Sequence, residues 1–201
     1  MTSFNVKDTT KLALAQSLKE LLRKAPLNKI TIKNLTDQCG LNRHTFYYHF
    51  RDVYELLEWT LEQDAISLLE ESISRRSYKQ GIRTLLNYIA ENRVMCRNVL
   101  TSEGNSQFLR FVYNAALKLV GMAVDAAAEG VDVSDGDRRY VVNFYTVAIT
   151  GLFEQWVVYD MSQTPDELLE SFAILMNGSF NWSLRRFADY RSGLIADELD
   201  C

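Results

Sequence analysis

Between Asn42 and Arg51 the chain reads N-R-H-T-F-Y-Y-H-F-R. Most of its polar side chains donate hydrogen bonds or carry positive charge. Arg43 has a planar fork that matches O6 and N7 of guanine. Thr45, Tyr47 and His49 suit phosphate oxygens, contacts that fix register without reading sequence. Tyr48 suits a sugar edge or a thymine methyl, Arg51 adds a cation, and His44 is neutral or charged according to its surroundings. Upstream, Thr31 and Lys33 open another short helix and offer backbone N–H groups and a cation to a further phosphate. Asn42 stands between the two helices. This is the chemistry of a surface that grips a polyanionic duplex, so double-stranded DNA is the expected partner.

Catalytic chemistry is poorly served. The chain has two histidines, His44 and His49. On one helix, five residues put them about 140° apart, whereas metal-binding pairs sit at i, i+4 on one face. There is no G-x-S-x-G elbow, no phosphate-binding loop and no dinucleotide fingerprint. No enzyme, no cofactor and no metal site are expected.

The elements that must hold these groups are legible from caps and spacing. Thr31 is a good N-cap for a helix over Ile32–Cys39, whose apolar Ile32, Leu35 and Cys39 fall at i, i+3 and i+7. Gly40 ends it in the left-handed conformation that glycine adopts cheaply. Leu41 inserts, and Asn42 caps a helix from Arg43 to Phe50. Before them, about Asp8 to Lys24 carries Leu12, Ala15, Leu18, Leu22 and Leu14, Leu21 on adjoining stripes, and Pro26 stops it. Leu14, Leu18, Leu21, Ile32, Leu35, Cys39, Leu41, Phe46 and Phe50 are the expected core of this unit. A short helix, a glycine turn and a second helix with a polar outer face is the helix-turn-helix arrangement.

Charge divides the chain at the same place. Residues 1–51 hold nine Lys/Arg against three acids, net +6, while the remainder is net −10. A basic head on an acidic body fits a polyanion-binding module joined to a regulatory one. With two Pro and nine Gly in 201 residues, a turn-rich β fold is disfavoured. The first residues lack the apolar core of a signal peptide. The greasiest stretch, Val141 to Phe153, is broken by Asn143, Thr146 and Thr150 and is short for a bilayer, so a cytoplasmic protein with no membrane association is expected. Cys39, Cys96 and Cys201 show no C-x-x-C spacing and read as reduced thiols.

Downstream, Asp52 caps a fourth helix to about Ser74. Further helices are expected over about Tyr78–Leu100, Asn105–Ala128, Asp137–Asp160 and Pro165–Tyr190, the last started by the capping box Thr164-Pro165-Asp166-Glu167. The expected fold is all-α, with a three-helix DNA-binding domain over residues 1–52 and an effector-binding and dimerisation bundle over residues 53–201.

Residues 31–57, above all Asn42 to Asp52, resemble the signature of the TetR family of bacterial transcriptional regulators: a Thr-capped helix, a Gly turn, then a T-F-Y-x-H-F-like helix followed by a basic residue and an acidic cap. Thr31, Gly40, Thr45, Phe46, Tyr47, His49 and Phe50 match, and Cys39 stands where Ala is usual. The resemblance implies a homodimer with its two reading helices in successive major grooves of a near-palindrome, acting as a ligand-responsive repressor. It also implies a dimer interface of the last two long helices. Their own pattern agrees: Ala148, Gly151, Leu152 and Trp156 on one, and Phe172, Met176, Ser179, Phe180, Ser183 and Phe187 on the other, give stripes at helical spacing. A small-molecule effector pocket is likewise implied. Tyr88, Met95, Phe108, Phe111 and Phe144, with the polar stripe Asn143, Thr146 and Thr150, are candidates to line it, since buried polar groups need a ligand, water or a neighbouring subunit as partner. A weaker resemblance, to a branch tied to dihydroxyacetone kinase genes with a similar Tyr-Tyr-His-Phe helix, implies the alternative of a coactivator that works through a protein partner with little direct DNA binding.

Overall fold

The computed structural model describes residues 6–74 and 77–194, and every regular element among them is helical. The head is α1 (Val6–Leu22), a single 3-10 turn (Leu27–Lys29), α2 (Ile32–Cys39) and α3 (Arg43–His49). The body is α4 (Val53–Ser74), α5 (Tyr78–Glu91), α6 (Arg93–Leu100), α7 (Asn105–Ala127), α8 (Asp135–Val158), α9 (Pro165–Met176) and α10 (Ser179–Arg191).

Local signals set the head. Thr31 and Asn34 exchange side-chain and backbone hydrogen bonds in a capping box that starts α2. Gly40 ends α2 at φ 68°, the left-handed region. Asn42 accepts from the Thr45 N–H at 2.8 Å and starts α3. Asp52 accepts from the Glu55 N–H at 2.8 Å, and that bond holds its carboxyl below the usual carboxylate range. The expected head core is realised. Leu14, Leu18, Leu35, Phe46 and Phe50 are buried, with Leu21, Ile32, Cys39 and Leu41 packed against them.

One continuous apolar core runs from this cluster through Leu56, Leu57 and Leu61 of α4 into the body and on to Phe172 and Leu184. At its centre is α7, which buries Phe108, Phe111, Val112, Leu119 and Val120, with Ala115, Ala116 and Ala123 admitting close neighbours. Cys96 is fully buried there, and desolvation pushes its thiol up to about 12. Cys201 lies outside the described residues.

Two expected helices are each divided. The Tyr78–Leu100 segment breaks at Asn92, whose side-chain amide donates to the Tyr88 carbonyl at 2.9 Å and competes with the helical ladder. The Pro165–Tyr190 segment breaks at Asn177–Gly178, where Asn177 is extended and Gly178 has φ 77°. Trp156 and Phe172, expected on a subunit face, are instead buried in the protomer. The Trp156 Nε1–H donates to the Gln163 carbonyl at 2.9 Å, and the Phe172 ring stacks on Phe153 at 5.8 Å. The reason is that the chain turns back after α8 and α9 packs on α5, bringing Phe172 to Phe153, and helical spacing alone does not say which neighbour an apolar stripe will meet.

Gly40 has open space where a Cβ would project, so a substitution there meets backbone strain and no clash. Gly40→Ala is expected to lower unfolding free energy by about 1–2 kcal/mol in urea titration, and Gly40→Asn by less.

Candidate nucleic-acid interface

The exposed polar surface of α3 is built from the inside out. Phe46 is fully buried and Phe50 nearly so, each touching the other's ring at 6.0 Å, and Phe50 also packs on Trp59 of α4 at 5.8 Å. This apolar side anchors the helix and turns its opposite side to solvent. Arg43, His44, Tyr47 and Tyr48 are all exposed, Tyr47 at 59% and Tyr48 at 68%. Arg43 and Tyr47, and His44 and Tyr48, are i, i+4 neighbours, so the four form one patch.

The other expected contact residues sit around it in different states. Thr45 is half-buried, and its hydroxyl and its N–H both donate to Oδ1 of Asn42. That oxygen is therefore committed to the cap, and the amide N–H groups are what Asn42 has left to donate outward. The Thr31 hydroxyl donates within its capping box, to Asn34 Oδ1 at 2.5 Å. Thr31 thus builds the end of α2, and its backbone N–H is likewise committed to Asn34. Lys33 is two-thirds exposed and loosely paired with Asp37 at 3.5 Å. Arg51 is exposed, with Nε 3.2 Å from Asp52. His49 is half-buried against the Tyr48 ring, at the edge of the patch.

Positioning contacts that spacing did not reveal complete the unit. The buried Ser17 hydroxyl donates to the Leu35 carbonyl at 3.0 Å and fastens α2 to α1. Gln38 of α2 bonds Glu20 of α1. Lys11 of α1 lies 5.7 Å from the centre of the Phe50 ring and 5.4 Å from that of Trp59.

The expected effector pocket is not where those eight residues lie. Met95, Phe108 and Phe111 are close-packed core. Tyr88 donates to Asp64, and burial raises its phenol well above the ordinary value. Thr146 and Thr150 donate to the Val142 and Thr146 carbonyls of their own helix, at 2.7 and 2.8 Å. The polar stripe on α8 therefore satisfies itself and needs no ligand. Asn143 accepts from the Tyr113 hydroxyl at 2.8 Å on the surface, and Phe144 is 58% exposed.

A concavity of about 1000 Å³ lies elsewhere, between α5, α7 and α9. Ile82, Leu119, Ile149 and Phe172 form its apolar floor, and Lys79, Arg83, Asp166 and Glu170 are at its walls. Arg83 and Asp166 pair across it at 3.3 Å. Asn177, Gly178 and Asn181 line its end, so the groove opens over the break between α9 and α10. The one sequence signal for it was a glycine inside an apolar helical stripe.

Comparisons bear on both parts of the chain. The family model of the TetR-type transcriptional regulator C-terminal region matches residues 76–178, wholly within the body. DhaS of Lactococcus lactis subsp. lactis (strain IL1403), an HTH-type transcriptional activator of the dhaKLM operon, is 24% identical over 151 residues, 74% of this chain and 80% of its own. The solved structure of a dihydroxyacetone kinase operon activator DhaS superposes with a TM-score of 0.68 at 19% identity, covering 89% of this chain and 98% of that one. NalD of Pseudomonas aeruginosa, the secondary repressor of the MexAB-OprM multidrug efflux pump, superposes with a TM-score of 0.56 at 17% identity, over 85% of this chain and 96% of its own. At these identities the structures speak for a shared fold.

Two substitutions separate base reading from phosphate gripping on α3. Arg43→Ala is expected to relax sequence preference and to cost about 1–3 kcal/mol on the best site. An unchanged preference in selection from a randomised pool removes Arg43 from base readout. Tyr47→Phe is expected to weaken binding to all sequences alike, and a change in which sites are chosen contradicts a phosphate role.

Proposed function

The chain belongs to the TetR family of transcriptional regulators, and from that premise we propose that it binds double-stranded DNA as a homodimer, represses transcription from a palindromic operator and responds to a small-molecule effector. In this reading residues 1–52 are the DNA-binding part and residues 53–201 the effector-binding and dimerisation part. The observation that carries it is the exposed patch of Arg43, His44, Tyr47 and Tyr48 on a head of net charge +6.

The dimer reading is supported by the way α8 and α10 pair. They run antiparallel. Arg191 donates to Asp137 at 2.9 and 3.1 Å, Tyr140 meets the Phe187 ring at 5.9 Å, and the Tyr145 hydroxyl reaches Ser179 and Ser183. Phe180, Ser183 and Phe187 are thus largely engaged inside the protomer, and Met176 lines the groove. The outward face of the pair is Phe144, Val147, Ala148 and Leu152 of α8 with Trp182 of α10, all exposed. Gly151, with nothing within 4 Å of where a Cβ would lie, permits close approach. The most apolar stretch of α8 is only 33% buried within the protomer. An uncovered apolar face on two antiparallel helices is half of a four-helix bundle, and a second copy supplies the other half.

The groove over Gly178 is the effector site in this reading, because an apolar floor with a few polar groups at the walls is the usual make-up of such sites. The position favours it further. The helix break it covers joins α9 to α10, and α10 carries part of the outward face. Activation is the second reading, favoured by the similarity to DhaS, a transcriptional activator. Deleting the gene separates them: transcription of the controlled promoter rises if the protein represses and falls if it activates.

Affinity for a selected operator is expected to fall with salt with a log–log slope of about −0.9 per phosphate engaged. Binding that is indifferent to salt would overturn the DNA reading. Val147→Glu is expected to give monomers in light scattering, leave the protomer folded, and reduce operator affinity by about a hundredfold or more through lost avidity. A variant that stays dimeric removes this face of α8 from the interface.

A further inference from the structure

We propose that Asp64 is a positioning residue that sets the angle at which the head presents α3, by strapping the end of α1 to the body. The inference rests on the DNA-binding reading above.

The head moves as one piece with α1. Leu14 and Leu18 share its core with Leu35 and Phe46, and Ser17 is bonded to the Leu35 carbonyl. The angle of α1 is therefore the angle of the reading helix. Polar bridges tie the far end of α1 to α4, to α6 and to Asn92 between α5 and α6. Lys19 Nζ donates to Asp64 Oδ1 of α4 at 2.5 Å, and the Tyr88 hydroxyl of α5 donates to Asp64 Oδ2. Both carboxylate oxygens are thus engaged, from opposite sides. Beyond the helix end, Arg23 Nη2 donates to Asn92 Oδ1 at 3.2 Å, and the Asn98 amide of α6 donates to the Leu22 carbonyl at 2.7 Å. Asp64 and Lys19 are largely withdrawn from solvent, their side chains 14% and 23% exposed.

Apolar packing holds α1 too, through Leu18 and Leu22 in the core shared with Leu56 and Leu57. That attraction is non-directional and tolerates a helix that rolls or slides. A charge-assisted bond to each oxygen of one carboxylate does not. Partly buried ionic bridges of this kind contribute specificity more than net stability. The place of Asp64 also links regulation to reading. Its partner Tyr88 lies on α5, whose N-terminal turns carry Lys79 and Arg83 of the groove wall and Ile82 of its floor.

The test replaces the bridge with apolar groups of similar size, Lys19→Met/Asp64→Leu/Tyr88→Phe, in the full chain. Operators are selected from a pool with randomised half-sites and variable spacers. A one-base-pair change in spacing rotates a half-site by about 35°, so a fixed head angle makes the wild type discriminate against it by about tenfold or more. In the variant this discrimination is expected to flatten to within about threefold, with the half-site sequence, read by α3, unchanged and the unfolding midpoint preserved. A variant that keeps the wild-type spacing preference overturns the proposal. Should the triple variant not fold, Tyr88→Phe removes one bond with little change of volume. Partial flattening supports the strap, and an unaltered preference overturns it. If the wild type selects no DNA, the DNA reading fails by itself, and amide exchange then judges the strap. Tyr88→Phe must speed exchange at the end of α1 and leave α7 and α8 unchanged, and no change there overturns it.

Discussion

Burial of Leu14, Leu18 and Leu22 along one stripe of α1 is the constraint on which the rest of the molecule depends. The reading helix α3 has seven residues, too few to be stable alone, since a helix of that length does not recover its nucleation cost. It exists because Phe46 and Phe50 are drawn into the core that α1 supplies. Each fully buried apolar side chain of this size contributes about 1.5–3 kcal/mol, so a few of them suffice to hold two short helices. The exposed patch of Arg43, His44, Tyr47 and Tyr48 follows from that burial.

The body obeys a similar economy of partners. Thr60, Thr146 and Thr150 donate to carbonyls of their own helices, so these three hydroxyls are satisfied without water or ligand. The far end of α8 is held by a charge cluster. Asp160, in the left-handed region at φ 63°, meets Arg93 and Arg97 of α6, and its bond to Arg93 keeps its carboxyl below the usual range. Asp137 is held low at the other end, chiefly by its bond to Arg191. With both ends of α8 fixed, its middle is left with an outward apolar face that no described residue of the protomer covers. The groove arises differently. Gly178, in the left-handed region, lets the chain turn between α9 and α10, and Asn177, Gly178 and Asn181 line one end of a space bounded by α5, α7 and α9.

Much of the head was legible from local rules. A capping threonine, a left-handed glycine and a capping asparagine each act within four residues, so Thr31, Gly40 and Asn42 set the ends of α2 and α3 before any tertiary contact forms. The alternation of apolar and polar positions on α3 likewise settled which side chains would be outside. The body was less legible because its uncertainties were about partners. The break at Asn92 needs the side-chain bond to Tyr88, and the one at Gly178 occurs in a stripe whose spacing continues unbroken. Thr146 and Thr150 read from the sequence as groups in need of a ligand, water or a second subunit, and only their distances show each bonded to a carbonyl of its own helix.

The sequence by itself determined the all-α class, the helix-turn-helix unit with its outward residues, and the charge contrast between head and body, since these follow from period, caps and composition. Only the tertiary structure decided that Trp156 and Phe172 turn inward, that the body's cavity opens between α5, α7 and α9, and that Asp64 gathers Lys19 and Tyr88. Each of those depends on which helices meet, at what crossing and how closely. Helical periodicity specifies a face to be covered and carries no information about the distant segment that will cover it.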